Sequence, residues 1–85
     1  MSALRRVLIA NRAEISIRIA KAASGLGIES AAVYSAADAY SLHTRAATTA
    51  LQLSGDPIGA YLDIAQLVAL AQENGCDCVH PGYGF

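Results

Sequence analysis

Cys76, Cys78 and His80 bring metal-ligating chemistry to alternate positions near the end of the chain. On an extended strand that spacing aims all three side chains at one face. Tetrahedral zinc needs ligands gathered around a point, however, and His43 is the sole other imidazole. The plainer reading is that two small thiols fill strand positions facing a helix. Their spacing does not suit a structural disulfide, so reduced thiols in a reducing compartment are expected.

Arg12 places a charge just past the first apolar run, where ligands or partner domains bind in open α/β sheets. The bland alternative is an ion pair with Glu14 or a surface contact. His80 precedes Pro81, and the bland reading there is a hydrogen bond to nearby backbone. Beyond it, Gly82 and Gly84 permit close backbone approach, and Tyr83 between them presents a ring suited to stacking on a flat ligand.

These residues need elements to position them. Val7-Leu8-Ile9-Ala10 is a short continuous apolar run, as in a strand buried on both faces. Asn11 is a potential cap for a helix over about residues 13–24, with Glu14 in its first turn and Ile15, Ile19, Ala22, Ala23 and Leu26 as the inward stripe. Residues 29–34 read as a second strand. Ser41 opens a short helix reaching about Ala47, and residues 50–53 form a weak third strand. The glycine and proline of residues 54–59 mark a loop. Asp63 and Gln66 have capping-box spacing ahead of a helix with the stripe Ile64, Leu67, Val68 and Ala71, which Gly75 ends. Residues 78–80 are the fourth strand. The alternation β-α-β-α-β-α-β predicts a Rossmann-like parallel α/β sheet of about four strands in the order 3-2-1-4, with helices on both faces. The order then reverses between strands one and four, and the loops 11–14 and 81–84 meet at the switch point.

Composition narrows the classes. The chain has 85 residues, 54% of them hydrophobic and 15% charged, which predicts one folded domain, 1–85, with a thin core. Net charge is −1 and no Lys or Arg follows Arg45, so no basic stripe points to nucleic acid. No apolar run approaches the span of a bilayer, and the first residues lack the pattern of a secretory signal, so a cytoplasmic protein without membrane contact is expected. A dinucleotide site would need glycines between the first strand and helix, yet that turn is Ala10-Asn11-Arg12-Ala13-Glu14.

Val7-Leu8-Ile9-Ala10-Asn11-Arg12-Ala13-Glu14-Ile15, Arg18-Ile19, Leu26-Gly27-Ile28, Ala32-Val33-Tyr34-Ser35, Ala37-Asp38, Leu42-His43, Tyr61-Leu62 and His80-Pro81-Gly82-Tyr83-Gly84-Phe85 together resemble the N-terminal domain of biotin carboxylase. This is the component of acetyl-, propionyl- and methylcrotonyl-CoA carboxylases and of pyruvate carboxylase that carboxylates biotin with bicarbonate and MgATP. The resemblance implies a domain that precedes an ATP-grasp domain and a C-terminal region, both absent here, so the fragment alone is expected to be inactive. It also implies biotin, ATP and magnesium in the complete enzyme, none of them bound tightly by this fragment.

Gly82, Tyr83 and Gly84 then become a wall against biotin. Asn11, Arg12, Glu14 and His80 support the interdomain surface. Arg18 and Lys21 lie on the helix face used in dimer contacts. Implied partners are the rest of the biotin carboxylase, a biotin carboxyl carrier domain and a second copy through the first helix. Where the family usually has glycine, this chain has Ala13. The rival reading is a stand-alone Rossmann-like module that docks on a carboxylase partner without catalysis.

Overall fold

Val7, Leu8 and Ile9 are all buried, as a strand covered on both faces must be. In the computed structural model, which describes residues 4–38, 42–55 and 59–82, they belong to β1 (Arg6–Ile9). The chain continues through α1 (Ala13–Gly25), β2 (Glu29–Tyr34), α2 (Leu42–Ala46), β3 (Thr49–Gln52), α3 (Ile64–Glu73) and β4 (Cys78–His80). Short 3-10 turns occupy Ala36–Asp38 and Gly59–Leu62. All pairings are parallel and the order is β3-β2-β1-β4, as the alternation predicts. The register sets Ile9 beside Ala32 on one side and His80 on the other. Expectations for Ser41, the middle of the 54–59 loop, and Tyr83 and Gly84 fall outside the described residues.

The core has two layers, one on each face of the sheet. Leu8, Val33, Leu53, Tyr61, Leu67 and Ala71 pack together under α3, while Val7, Ile9, Ala20 and Ala23 pack under α1. Each fully buried Leu or Ile contributes about 1.5–3 kcal/mol relative to exposure. Among the described residues, no helix is long and apolar enough to cross a membrane.

Helix α1 departs from the expected stripe. Its fully buried positions are Ser16, Ala20 and Ala23, whereas Ala22 is exposed and Leu26 is 77% exposed. Small side chains let the helix sit close on the sheet, so the isoleucines flank the contact line and are only half-buried. Leu26 swings outward because it lies past the helix, where the Ile28 amide donates back to the Ala23 carbonyl and Gly27 takes φ +75°. Helix α3 likewise buries Leu67 and Ala71 but leaves Ile64 74% and Val68 44% exposed. Asp63 caps it, accepting from the Gln66 amide at 3.1 Å. The Gln66 side chain does not complete the capping box; it spans to Ser54, donating to that carbonyl at 2.9 Å and accepting from its amide at 2.7 Å. Strand β3 begins at Thr49 and ends at Gln52, one residue earlier than expected at each end.

At the amino ends of the strands, the Asp77 carboxylate accepts from the Arg5 and Arg6 amides at 2.7 and 2.9 Å. The Arg6 guanidinium donates to Glu29 and to the Asn74 carbonyl. This clamp joins β1, β2 and the entry to β4 at the end of the sheet opposite the switch point.

Candidate functional site

The two predicted loops meet in their described parts, at Asn11 with Pro81 and Gly82. Past β1, the Ala10 amide donates to the His80 carbonyl at 2.9 Å, the last backbone bond between the central strand and β4. Asn11 is 3% exposed, and its Oδ1 accepts from the Arg12 amide while its Nδ2 donates to the Pro81 carbonyl, each at 2.8 Å. Asn11 therefore does not cap α1. The N-cap is Arg12, in extended backbone, and its own side chain makes no capping bond. His80 is exposed, and its Nδ1 accepts from the Gly82 amide at 3.1 Å, so it bonds nearby backbone as its plainer reading predicts.

Arg12 pairs across the crevice rather than along the chain. Its Nη2 lies 3.1 Å from Asp38 Oδ1 and its guanidinium carbon 5.8 Å from the centre of the Tyr61 ring. Glu14, the partner in the bland alternative, faces solvent and pairs with Arg18 at 3.2 Å. Asp38 is anchored from behind: its Oδ2 accepts from the Tyr61 hydroxyl at 2.7 Å, and that hydroxyl accepts from the Ser35 amide at 3.0 Å. Burial first, and then the bond to Asp38, push the Tyr61 phenol above its usual range, so it stays a donor. Arg12 thus stands half-exposed at the carboxyl ends of the strands, steered by a buried carboxylate.

Neither Asp38 nor Tyr61 was singled out for a role by sequence. The available signal was an acidic residue just past the second strand, in the crevice where Arg12 also falls. His43 belongs to the same support. It is 1% exposed; Nδ1 accepts from the Ala13 amide at 3.4 Å and Nε2 faces the Val33 carbonyl at 3.1 Å. An amide at Nδ1 makes Nε2 the protonated nitrogen.

Cys76 and Cys78 do not share a face. Cys76 packs with the core under α3 and Cys78 with the core under α1. The Cys76 amide still closes the end of α3, donating to the Ala71 carbonyl at 2.8 Å, and the chain bends at Asp77 before β4 begins. Alternation therefore starts only at Cys78. Burial raises the Cys76 thiol above its usual range, which keeps it protonated. Among the described residues, no group of three His, Cys, Asp or Glu side chains gathers.

Arg18 and Lys21 are exposed on the outer face of α1. Two apolar grooves flank β4. The one beside α1, about 300 Å³, is lined by Leu4, Ile19, Leu26 and Cys78 among others, and the one beside α3, about 420 Å³, by Leu62, Ile64, Val68 and Val79 among others. Val79 itself is 40% exposed, so the sheet is uncovered at this edge.

Comparison with known proteins gives these features a setting. Residues 3–85 match the family described as the biotin carboxylase N-terminal domain. A putative urea carboxylase of Emericella nidulans is 47% identical over 85 residues, spanning 100% of this chain and 7% of that protein. The biotin carboxylase domain of a single-chain bacterial carboxylase superposes with a TM-score of 0.93 at 56% identity, over 95% of this chain and 19% of that one. The biotin carboxylase domain dimer of the Hydrogenobacter thermophilus 2-oxoglutarate carboxylase, solved with MgADP, ADP and bicarbonate, superposes with a TM-score of 0.95 at 36% identity, over 100% of this chain and 19% of that one. The chain thus spans between 7% and 19% of these relatives' length.

Proposed function

Because the chain belongs to the family of biotin carboxylase N-terminal domains, we propose that it supplies one wall of the site at which an ATP- and bicarbonate-dependent ligase carboxylates biotin. The observation that carries this reading is the join of the two loops at the switch point, through the Asn11 bond to the Pro81 carbonyl. It sets Arg12 and the start of the glycine-rich turn side by side beyond the carboxyl ends of β1 and β4, where open α/β sheets take ligands. In this reading Gly82, Tyr83 and Gly84 border the biotin ring, and Arg12, Asn11, Glu14 and His80 support the surface facing the next domain.

Magnesium and the nucleotide phosphates are assigned to other regions of the enzyme. The described acidic side chains do not suit a magnesium site: Asp38 is committed to Arg12 and Tyr61, Asp77 lies at the far end of the sheet, and no cluster of three forms. No step is derived through them. Phosphoryl transfer also needs cationic groups around the phosphates, and the chain is expected to lack turnover alone. The grooves on either face of β4 are the surfaces that the remaining domains would cover. A relative of this chain is a dimer in its solved form, and the exposed Arg18 and Lys21 face of α1 is the surface we assign to a second copy.

A chimera tests the assignment. The segment of the single-chain bacterial biotin carboxylase domain that matches this chain is replaced by residues 1–85, and bicarbonate-dependent ADP release is followed with free biotin. Turnover at the host's level is expected; a folded chimera without biotin-stimulated turnover would contradict it.

A further inference from the structure

We propose that Asn11 is the residue that positions the start of the glycine-rich turn after β4, and that its side-chain amide extends the pairing of β1 and β4 one step past the last backbone rung. The proposal rests on the reading of that turn as a wall for biotin. Parallel pairing between β1 and β4 ends where the Ala10 amide meets the His80 carbonyl. Beyond it the Gly82 amide turns back to His80 Nδ1 at 3.1 Å. Asn11 extends the pairing by one step with its side chain, donating from Nδ2 to the Pro81 carbonyl at 2.8 Å. The other end of the amide is fixed as well, since Oδ1 accepts from the Arg12 backbone at 2.8 Å. One buried amide therefore ties the start of α1 to the turn.

Gly82 rests directly on this joint. Its φ is +65°, and a Cβ there would fall 2.7 Å from Asn11 Nδ2 and 2.8 Å from Ile15 Cγ2. The glycine is thus required on its inner side, against Asn11 and the first turn of α1, whatever lies on its outer side. The Pro81 carbonyl and the Gly82 Cα take their places from Asn11. Only asparagine satisfies both contacts at this length. Aspartate keeps the acceptor but sets a carboxylate oxygen against the Pro81 carbonyl, and glutamine is a methylene too long for a space already closed by Gly82.

The test uses the chimera described above, measuring KM for free biotin and for ATP, with the melting temperature of each variant. Asn11→Asp, which is isosteric, is expected to raise the biotin KM about tenfold and to leave the ATP KM within about twofold, as misplacement of one substrate-bordering turn requires. Gly82→Ala should act in the same direction and gives the same readout if Asn11→Asp does not fold. The double variant should be no worse than the more severe single, because both displace one turn. Tyr83→Ala separates the two layers of the argument. An unchanged biotin KM in Asn11→Asp beside a raised one in Tyr83→Ala overturns the positioning role and leaves the wall intact. Unchanged values in both overturn the wall, and the positioning role with it. Equal losses for biotin and ATP in Asn11→Asp show a purely structural residue and also overturn the proposal.

Discussion

Ala13 holds φ +55°, in the left-handed region that an L side chain occupies at a cost of roughly 1 kcal/mol or more. The chain adopts it because β1 must hand over at once to α1, while the Ala13 amide is drawn to His43 Nδ1. Glycine removes the clash but adds freedom to the unfolded chain, so Ala13→Gly is expected to stabilise by about 0.5–1 kcal/mol in urea unfolding. A lowered midpoint would show that the turn is not strained. In the sequence this position stood out only through the family resemblance, which implies glycine there. The partner of Arg12 was not visible, because Asp38 lies 26 positions away across a crossover. Glu14 is close in sequence yet sits on the outer face of α1, where the i,i+4 spacing gives it to Arg18.

At the scale of the element, α1 shows why apolar periodicity alone read the buried face only in part: Ala23 and Ile19 reach the core, whereas Ala22 and Leu26 do not. A count of large apolar residues selects Ile15, Ile19 and Leu26, but close packing on a sheet favours the small ridge Ser16, Ala20 and Ala23. Strand β1 raised no such ambiguity, since its run is short, continuous and apolar, whereas β3, read as a weak strand, lies one residue earlier at each end. Along that ridge, the Ser16 hydroxyl is fully buried without a hydrogen-bond partner among the described residues. A buried hydroxyl in that state costs roughly 1–3 kcal/mol, so Ser16→Ala should stabilise by about 1 kcal/mol. A destabilised variant in the same urea titration would mean that Ser16 has a partner in solution.

For the whole molecule, the sheet is fastened at both ends by different chemistry. At the carboxyl ends the Asn11 amide and the Arg12–Asp38 pair join loops, and at the amino ends Asp77 joins strands. The Arg5 and Arg6 amides hold the Asp77 carboxyl below the ordinary carboxylate range. Its folded value is therefore lower than its unfolded one, and the stabilisation is complete above the unfolded value. It is lost as pH falls through the folded value, so melting temperature should decline from about pH 4 downward. Asp77→Asn should flatten that decline, whereas an identical acid slope would remove Asp77 as its source. Strand order and the meeting of two loops were legible from alternation and handedness alone. The amino-end clamp was not, because it joins residues 71 and 72 positions apart through backbone amides.

On the proposed function, this chain completes a biotin carboxylase site whose reacting groups lie elsewhere. The most direct measurement mixes residues 1–85 with a separately produced biotin carboxylase domain from which the matching segment has been removed. Bicarbonate-dependent ADP release on free biotin is then followed as the chain is titrated in. The account predicts saturable restoration of turnover, with neither piece active alone. Turnover that does not respond to the chain, or that the shortened domain shows without it, would contradict the account.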